Sequence, residues 1–282
     1  MTHTGSLKAG PGFRPQKRLG QHFLADHRII QKIIDRARFR VFDLVLEIGP
    51  GQGALTLPLA RSVGHVVAVE KDPDLTSLLR EKLSRSGITN VTLVNHDILQ
   101  WDFHEIKPLS STRIQVIGNL PYNISSPFLE KLIDNRDIVA RAVLMFQLEV
   151  AKRLIALSGG KIYGAMTLFI QYHAQCTALF EVPKTAFFPR PKVDSMVLEL
   201  DFERPYPRRA AHEASFKKVV KGAFSHRRKT LLNSLMGFCP SWNREALLEG
   251  MNKCGIDPGR RAETLDMDEF LCLESALKLT DG

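Results

Sequence analysis

The chain has 282 residues, 44% of them hydrophobic and 24% charged, and its formal net charge is +9 at pH 7. This length can fold into one large domain plus a smaller one. No apolar run approaches the length of a membrane span, and Met1–Thr4 leads into polar sequence without a signal-peptide core, so the sequence predicts a cytoplasmic protein that does not enter a membrane.

Cysteine spacing predicts neither a zinc site nor a disulfide framework, which fits a reducing cytoplasm. The four cysteines are scattered along the second half of the chain, at Cys176, Cys239, Cys254 and Cys272.

Positive charge is concentrated in two tracts. Residues 1–40 hold nine Lys and Arg against two acids, and residues 204–229 hold nine against one. The centre is therefore mildly acidic. Two basic tracts on either side of such a centre favour binding of a polyanion such as nucleic acid. The alternative is that the basic tracts only improve solubility.

The first predicted elements are an arm and a helix. Residues 1–20 are rich in Gly, Pro, Lys and Arg and predict a mobile basic arm. Isoleucines from Ile29 to Ile34 then recur at helical spacing. Gln21-His22-Phe23-Leu24 joins the arm to this helix, where its side chains can lie over a ligand.

A glycine loop follows the next strand. Residues 43–48 are strand-like, and Gly49-Pro50-Gly51-Gln52-Gly53 leads directly into a helical segment. Such a loop lets the backbone approach a ligand and points N–H groups at it. The strand 65–69 ends in Glu70, 21 residues after Gly49, where a carboxylate can accept from both ribose hydroxyls. The pattern predicts a nucleoside cofactor but not which one, since dinucleotide sites share it.

Two further strands end in polar residues. Strand 91–94 leads to Asp97, and strand 114–117 leads to Asn119-Leu120-Pro121-Tyr122. The carboxyl ends of parallel strands meet at one sheet edge, where ligands bind. An amide, main-chain carbonyls and a ring suit a planar base with an exocyclic amino group. The alternatives are that Asp97 is a helix cap and that the second stretch is an ordinary turn.

The remaining chain predicts a ring pair and a helical domain. Phe187–Ser195 is a stiff loop with two aromatic residues, one of which can stack on a base opposite Tyr122; the alternative is that both fill the core. After a linker at 203–209 the pattern is helical, and Arg227-Arg228-Lys229 lies at a helix start, where phosphate binding would explain three cations. We predict an arm at 1–20, an α/β domain at 21–205 and a helical domain at 206–282.

In combination these motifs resemble the bacterial family of small-subunit ribosomal RNA adenine dimethyltransferases, which is associated with kasugamycin sensitivity. The resemblance covers roughly residues 14–278 and rests on the motifs at 21–24, 47–51, 69–70, 97–98, 119–122, 187–195 and 227–231. It implies a Rossmann-like methyltransferase fold with a smaller helical domain at its C-terminus. It also implies transfer of four methyl groups from S-adenosylmethionine to two adjacent adenosines in the 3′-terminal hairpin of small-subunit rRNA.

The resemblance also implies roles for individual residues. His22 and Leu24 would cover the cofactor, Gly49 and Gly51 would back its methionine part, Glu70 would hold the ribose and Asp97 the adenine. Asn119 would stand between cofactor and target base, with the Leu120 carbonyl as second acceptor, and Tyr122 and Phe187 would sandwich that base. Arg227, Arg228 and Lys229 would bind RNA. Many family members have Asn in place of His22.

The expected protein is a metal-free monomer that acts on rRNA in a pre-ribosomal particle. Three alternatives remain open at this point: a nicotinamide-dependent oxidoreductase, an RNA-binding assembly factor without catalytic activity, and a mitochondrial-type relative that doubles as a transcription factor.

Overall fold

A computed structural model describes residues 21–109, 112–121 and 124–277, with the side chains of Lys107 and Pro108 left out. The predicted arm at 1–20 and the predicted site residue Tyr122 lie outside these ranges. Two units are distinct by their packing. The first runs to Ala151 and includes Cys176–Glu203, and the second comprises Lys152–Gln175 and the chain from Arg204 onward. The sequence prediction placed one boundary between the two folded domains, after residue 205. Packing instead assigns residues 152–175 to the second unit as well.

The first unit is an α/β structure. Its strands are β1 (Phe23–Leu24), β2 (Leu44–Ile48), β3 (His65–Glu70), β4 (Val91–Asn95), β5 (Ile114–Asn119), β6 (Val139–Gln147), β7 (Gln175–Val182), β8 (Phe187–Phe188) and β9 (Ser195–Asp201). Its helices are α1 (His27–Ala37), α2 (Thr56–Ala60), α3 (Pro73–Arg85) and α4 (Ser125–Asp134), and α5 (Leu148–Leu154) runs on into the second unit.

Seven strands form the main sheet in the order β4-β3-β2-β5-β6-β9-β7. The strands from β4 to β6 are parallel, and β9 runs antiparallel to β6. Strand β2 is buried at every position, because its Leu-Val-Leu-Glu-Ile run is covered on both faces. The strand order reverses at β2, which pairs with β3 on one side and β5 on the other. Ligands of such sheets bind at this reversal, beyond the carboxyl ends of the strands.

A separate two-stranded ribbon pairs a segment near the beginning of the first unit's sequence with a segment near its end. Phe23 pairs with Phe188 and Leu24 with Phe187, antiparallel, and the Ala25 N–H donates to the Ala186 carbonyl at 2.8 Å. The sequence predicted a loop at 187–195 and no strand at 23–24. Two-residue strands carry no periodicity, so only tertiary pairing defines them.

The second unit is helical. It contains α6 (Ala165–His173), α7 (Glu213–Phe224), α8 (Leu231–Phe238), α9 (Arg244–Lys253) and α10 (Met267–Leu277), and its core is built around Tyr172, Phe216 and Phe270. Among the helices of the described ranges, none combines the length and apolar character that a membrane crossing requires. The prediction of an α/β fold with a helical C-terminal part is confirmed.

One prediction about this unit was wrong. Cys254 and Cys272 form a disulfide, with their Cα atoms 5.8 Å apart. Cys254 is the C-cap of α9 and Cys272 lies in α10, so the pairing depends on how the two helices pack rather than on a spacing motif.

Candidate active site

A cavity of about 860 Å³ opens at the carboxyl edge of the sheet in the first unit. It brings together residues from the segment before α1, from the glycine loop and from the ends of β3, β4 and β5. Its lining includes His22, Leu24, Gly49, Gly51, Glu70, Asp97, Asn119, Leu120 and Phe188. Residues distant in sequence therefore meet at the strand reversal, as the sequence predicted.

The glycine loop is shaped by residues in the left-handed backbone region. Gly49 has φ +61° and Gly51 has φ +56°, values that residues other than glycine rarely adopt. A Cβ at Gly51 would also lie 3.2 Å from the ring of Phe23. The loop therefore needs glycine here both for its turn and to let the segment before α1 pack against it.

Glu70 accepts hydrogen bonds from two main-chain N–H groups in the cavity. The Gly51 amide donates to its Oε2 at 3.0 Å and the Asp72 amide to its Oε1 at 2.9 Å. Burial raises the pKa of Glu70 above its ordinary value, although these amides act in the opposite direction. Each carboxylate oxygen retains a second lone pair, so the group can still accept from a pair of hydroxyls.

Glu47 is a second acid in the cavity wall, which the sequence reasoning did not single out as a site residue. It is 1% exposed on β2, and burial raises its pKa to about 8. The charge of Glu70 raises the pKa further, while Thr56 lowers it. An acid inside the apolar run Leu44–Ile48 is the sequence signal that could have identified it.

Asp97 stands at the end of β4 and is held by two donors. The Lys71 ammonium lies 2.8 Å from its Oδ2, and the Leu99 amide donates to its Oδ1 at 3.0 Å. Partial burial acts to raise the pKa of Asp97, but Lys71 and Leu99 outweigh it and the pKa is lowered. Asp97 is therefore an ionised acceptor at the cavity rim.

Asn119 ends β5 and is oriented by the segment before α1. Its Nδ2 donates to the main-chain oxygen of His22 at 3.0 Å. Since the amide nitrogen is the donor, Oδ1 is the acceptor that remains for a ligand. The His22 ring in turn places Nδ1 2.8 Å from the Pro189 carbonyl, so Nδ1 carries the proton. His22 thus joins the end of β5 to the loop after β8.

The two phenylalanines of β8 have different environments. Phe187 is 3% exposed and packs in the core of the first unit, whereas Phe188 is 39% exposed and lines the cavity. The assignment of the stacking ring to Phe187, which the resemblance implies, stays a prediction. Phe188 is the ring that lines the cavity, so the two phenylalanines do not both fill the core. Alternation along a strand puts successive side chains on opposite faces, which is why only one of them reaches the cavity.

The basic cluster lies in the second unit, in the turn between α7 and α8. Arg227, Arg228 and Lys229 are all exposed, and Arg227 donates to the main-chain oxygen of Lys161. Thr230 caps α8 directly after the cluster, with its hydroxyl oxygen 3.4 Å from the Asn233 amide.

Within the described ranges, no group of three or more His, Cys, Asp or Glu side chains is arranged to hold a metal ion. The expectation of metal-free chemistry stays a prediction.

Comparison with known proteins gives a consistent result. Residues 12–278 match the family described as ribosomal RNA adenine dimethylase. The chain is 43% identical over 277 residues to the ribosomal RNA small subunit methyltransferase A of Desulforapulum autotrophicum, covering 98% of this chain and 97% of that protein. It is 43% identical over 275 residues to the protein of the same name from Geobacter metallireducens, covering 97% and 99%.

Solved structures agree with this result. A dimethyladenosine transferase from Plasmodium falciparum superposes with a TM-score of 0.76 at 26% identity, covering 89% of this chain and 96% of that one. The 23S rRNA methyltransferase ErmE superposes with a TM-score of 0.70 at 25% identity, covering 91% and 100%.

Proposed function

The chain belongs to the ribosomal RNA adenine dimethylase family, and we propose that it transfers methyl groups from S-adenosylmethionine to N6 of two adjacent adenosines in the 3′-terminal hairpin of small-subunit rRNA. The observation that carries the proposal is the Asn119 amide, held by the His22 carbonyl at the end of β5 in one cavity with Glu70 and Asp97. A nicotinamide oxidoreductase would need no such amide acceptor.

The hydrogen-bond acceptors of the cavity fit S-adenosylmethionine. Glu70 offers carboxylate oxygens to the ribose hydroxyls, and Asp97 is an ionised acceptor for the adenine amino group. Gly49 and Gly51 let the backbone lie against the methionine part, while His22 and Leu24 close over it. When bound, this molecule supplies a methyl group activated by a positively charged sulfur.

Asn119 and Leu120 prepare the target nitrogen. The lone pair of an adenine amino group is delocalised into the ring, so the nitrogen is a poor nucleophile. Hydrogen bonds from its two N–H groups to Asn119 Oδ1 and the Leu120 carbonyl favour a more tetrahedral nitrogen, whose lone pair then points at the methyl group. Positioning and fixed dipoles supply most of the rate in such a site.

Aromatic stacking fixes the target base. Tyr122 and the second ring, Phe187 or Phe188, hold the adenine along the line of attack. The base must first leave its own stack, which costs a few kcal/mol and less in a hairpin loop than in a duplex. For the second transfer, the monomethylated base rebinds with its remaining N–H toward Asn119.

An rRNA substrate accounts for the positive charge of the chain. We propose that Arg227, Arg228 and Lys229 bind rRNA phosphates, and that the helical domain at 206–282 is the RNA-binding part of the chain. The pre-ribosomal particle, the monomeric state and the cytoplasmic location belong to the same proposal.

Transfer to isolated subunits tests the function. Purified protein is incubated with methyl-labelled S-adenosylmethionine and small subunits from cells that lack dimethylated adenosines, and the rRNA is digested and analysed by mass. We expect dimethyladenosine at two adjacent positions, and no label in subunits that are already methylated.

The absence of label would favour an assembly factor without catalytic activity. Calorimetric titration with S-adenosylmethionine and with NAD separates the oxidoreductase alternative, because only the first is expected to bind.

A further inference from the structure

The loop between α1 and β2 exposes apolar and aromatic side chains at its tip. Val41 is 77% exposed and Phe42 is 72% exposed, the two most exposed large hydrophobic residues of the first unit's described part. We call residues 36–42, which comprise the last two residues of α1 and the start of the loop, the arginine–aromatic loop; their sequence is Arg-Ala-Arg-Phe-Arg-Val-Phe. Exposed apolar groups next to each other mark interaction sites more often than isolated ones do.

Three arginines precede these apolar groups in the sequence. Arg36, Arg38 and Arg40 are all exposed. Over the part of the chain that the structure describes, no carboxylate lies within ion-pair distance of any of the three, and the Arg40 guanidinium lies 5.8 Å from the centre of the Phe42 ring. The loop is thus a surface with three guanidinium groups that form no ion pair within the described ranges, although Asp35 and Asp43 flank it in the sequence.

The loop is held in a fixed shape. The Arg40 amide donates to Asp43 Oδ2 at 2.8 Å, and the Asp43 amide donates back to the Arg40 carbonyl at 2.9 Å. At Gly64 a Cβ would lie 3.2 Å from the Val41 carbonyl oxygen, so the chain there packs closely under the tip. The exposure of Phe42 therefore reflects a defined conformation that can bind a ligand without first becoming ordered.

Arg38 occupies a backbone position that favours glycine. It is the C-cap of α1 with φ +51° and ψ +36°, and no other non-glycine residue in the described ranges has positive φ. Glycine is the usual residue there, because it has no Cβ to clash. An arginine at this position costs stability, which is the pattern expected where a side chain serves another purpose.

The loop lies at the edge of the sheet opposite the cavity. It leads into β2 at Leu44, whereas the glycine loop leaves β2 after Ile48, so the strand separates them by about 16 Å. A ligand of the loop is therefore not the adenosine in the cavity.

We propose that the arginine–aromatic loop binds an unpaired segment of rRNA distinct from the target hairpin, with Phe42 stacking on a base and the arginines contacting phosphates. An exposed ring beside cations is the arrangement that binds single-stranded nucleic acid, whereas a duplex keeps the faces of its bases stacked inside. Three guanidinium groups that form no ion pair with any described residue favour RNA over a protein partner. The inference rests on the proposed function, since it takes rRNA as the substrate.

Binding to a 12-nucleotide oligouridine tests the loop without involving the adenine pocket. We expect Phe42→Ser and Arg38→Gly each to weaken binding about tenfold at low salt. Arg38→Gly should also reduce the slope of log affinity against log salt by about 0.7, which is the value for one phosphate contact of a single strand. Arg80→Gln, which removes an exposed arginine from α3, is the matched control and should change binding little.

Thermal stability separates lost binding from lost folding. Arg38→Gly removes the stability cost of an arginine in the left-handed backbone region. The melting temperature of this variant should therefore rise while its affinity for RNA falls. Unchanged affinity for oligouridine in both Phe42→Ser and Arg38→Gly would overturn the proposal.

Crosslinking identifies the partner in the particle. A photoreactive phenylalanine at position 42 should crosslink to rRNA in small subunits that lack dimethylated adenosines. Crosslinks only to a ribosomal protein, or none, would overturn the proposal. At saturating concentrations of small subunits that lack dimethylated adenosines, both loop variants should still methylate the rRNA at the wild-type maximal rate. Failure of the wild-type protein to methylate those subunits would instead count against the proposed function.

Discussion

The side-chain amide of Asn119 donates to the main-chain oxygen of His22, 97 residues earlier in the chain, at 3.0 Å. The bond fixes which end of the amide faces the cavity, because a carbonyl oxygen can pair only with the nitrogen end. Asn119 therefore presents an acceptor to the ligand before any ligand is bound, and an acceptor already in place has no reorganisation cost during reaction.

Replacing Asn119 should remove methyl transfer while retaining the cofactor. We expect Asn119→Ala to lower the single-turnover rate by at least about 10²–10³-fold, because it removes an acceptor that acts on the reacting nitrogen. The affinity for S-adenosylmethionine by calorimetry should change little, since Glu70 and Asp97 are untouched. A wild-type rate of dimethylation in this variant would refute the assignment.

The two rings of β8 can be told apart by a matched pair of substitutions. Phe188→Leu should lower kcat/KM for the hairpin about tenfold with an unchanged melting temperature, because Phe188 is partly exposed and lines the cavity. Phe187→Leu should lower the free energy of unfolding by about 1 kcal/mol, because it replaces a buried ring with a smaller side chain.

Assays well below the melting temperature separate stability from catalysis. A strong loss of methyl transfer in fully folded Phe187→Leu, with little change in Phe188→Leu, would show that Phe187 is the ring that stacks on the target base.

Stability should depend on pH through Glu47. Its pKa is about 8 in the folded protein and near 4.5 in the unfolded chain, so between these values the folded state retains a proton that the unfolded state has lost. The free energy of unfolding therefore falls as pH rises through this window, by at most about 1.4 kcal/mol per pH unit from this group.

A glutamine at position 47 removes that dependence. Glu47→Gln should match the wild type near pH 4 and become progressively more stable than it toward pH 8, as measured by denaturant unfolding at each pH. The exposed Glu81→Gln is the control. Parallel curves for the wild type and Glu47→Gln would show that Glu47 does not titrate in this way.

The disulfide should stabilise the helical unit under oxidising conditions. Its cysteines are 18 residues apart, and closing a loop of this size contributes about 3 kcal/mol in the chain-entropy account. Cys272→Ser should lose about this amount of unfolding free energy without reductant and behave like the wild type in dithiothreitol. Cys239, a free cysteine, provides the control variant Cys239→Ser. Equal stability of Cys272→Ser and the wild type without reductant would contradict the prediction.

Sequence reasoning found the residues at the ends of β2, β3, β4 and β5, because apolar strands that end in glycine, acid or amide have a strong pattern. It also found the helical unit. The contacts that orient these residues could not be found in this way. The bond between Asn119 and His22, the pairing of Phe23 with Phe188 and the disulfide all join distant segments through packing. Phe188 is more exposed than Phe187 because of the face that the two-residue strand β8 turns to the cavity, and the sequence does not show which face this is.

The ribbon of Phe23–Leu24 with Phe187–Phe188 has a practical consequence for anyone who shortens or tags this chain. Residues 21–24 pair with no strand of the seven-stranded sheet, so a protein cut after Leu24 would retain every strand pairing of that sheet. That protein would lack both the carbonyl that aims Asn119 and the strand that seats the aromatic pair. Good yield and a native circular dichroism spectrum are thus poor guides to an active preparation, and a fusion partner is safer at the far end of the polypeptide.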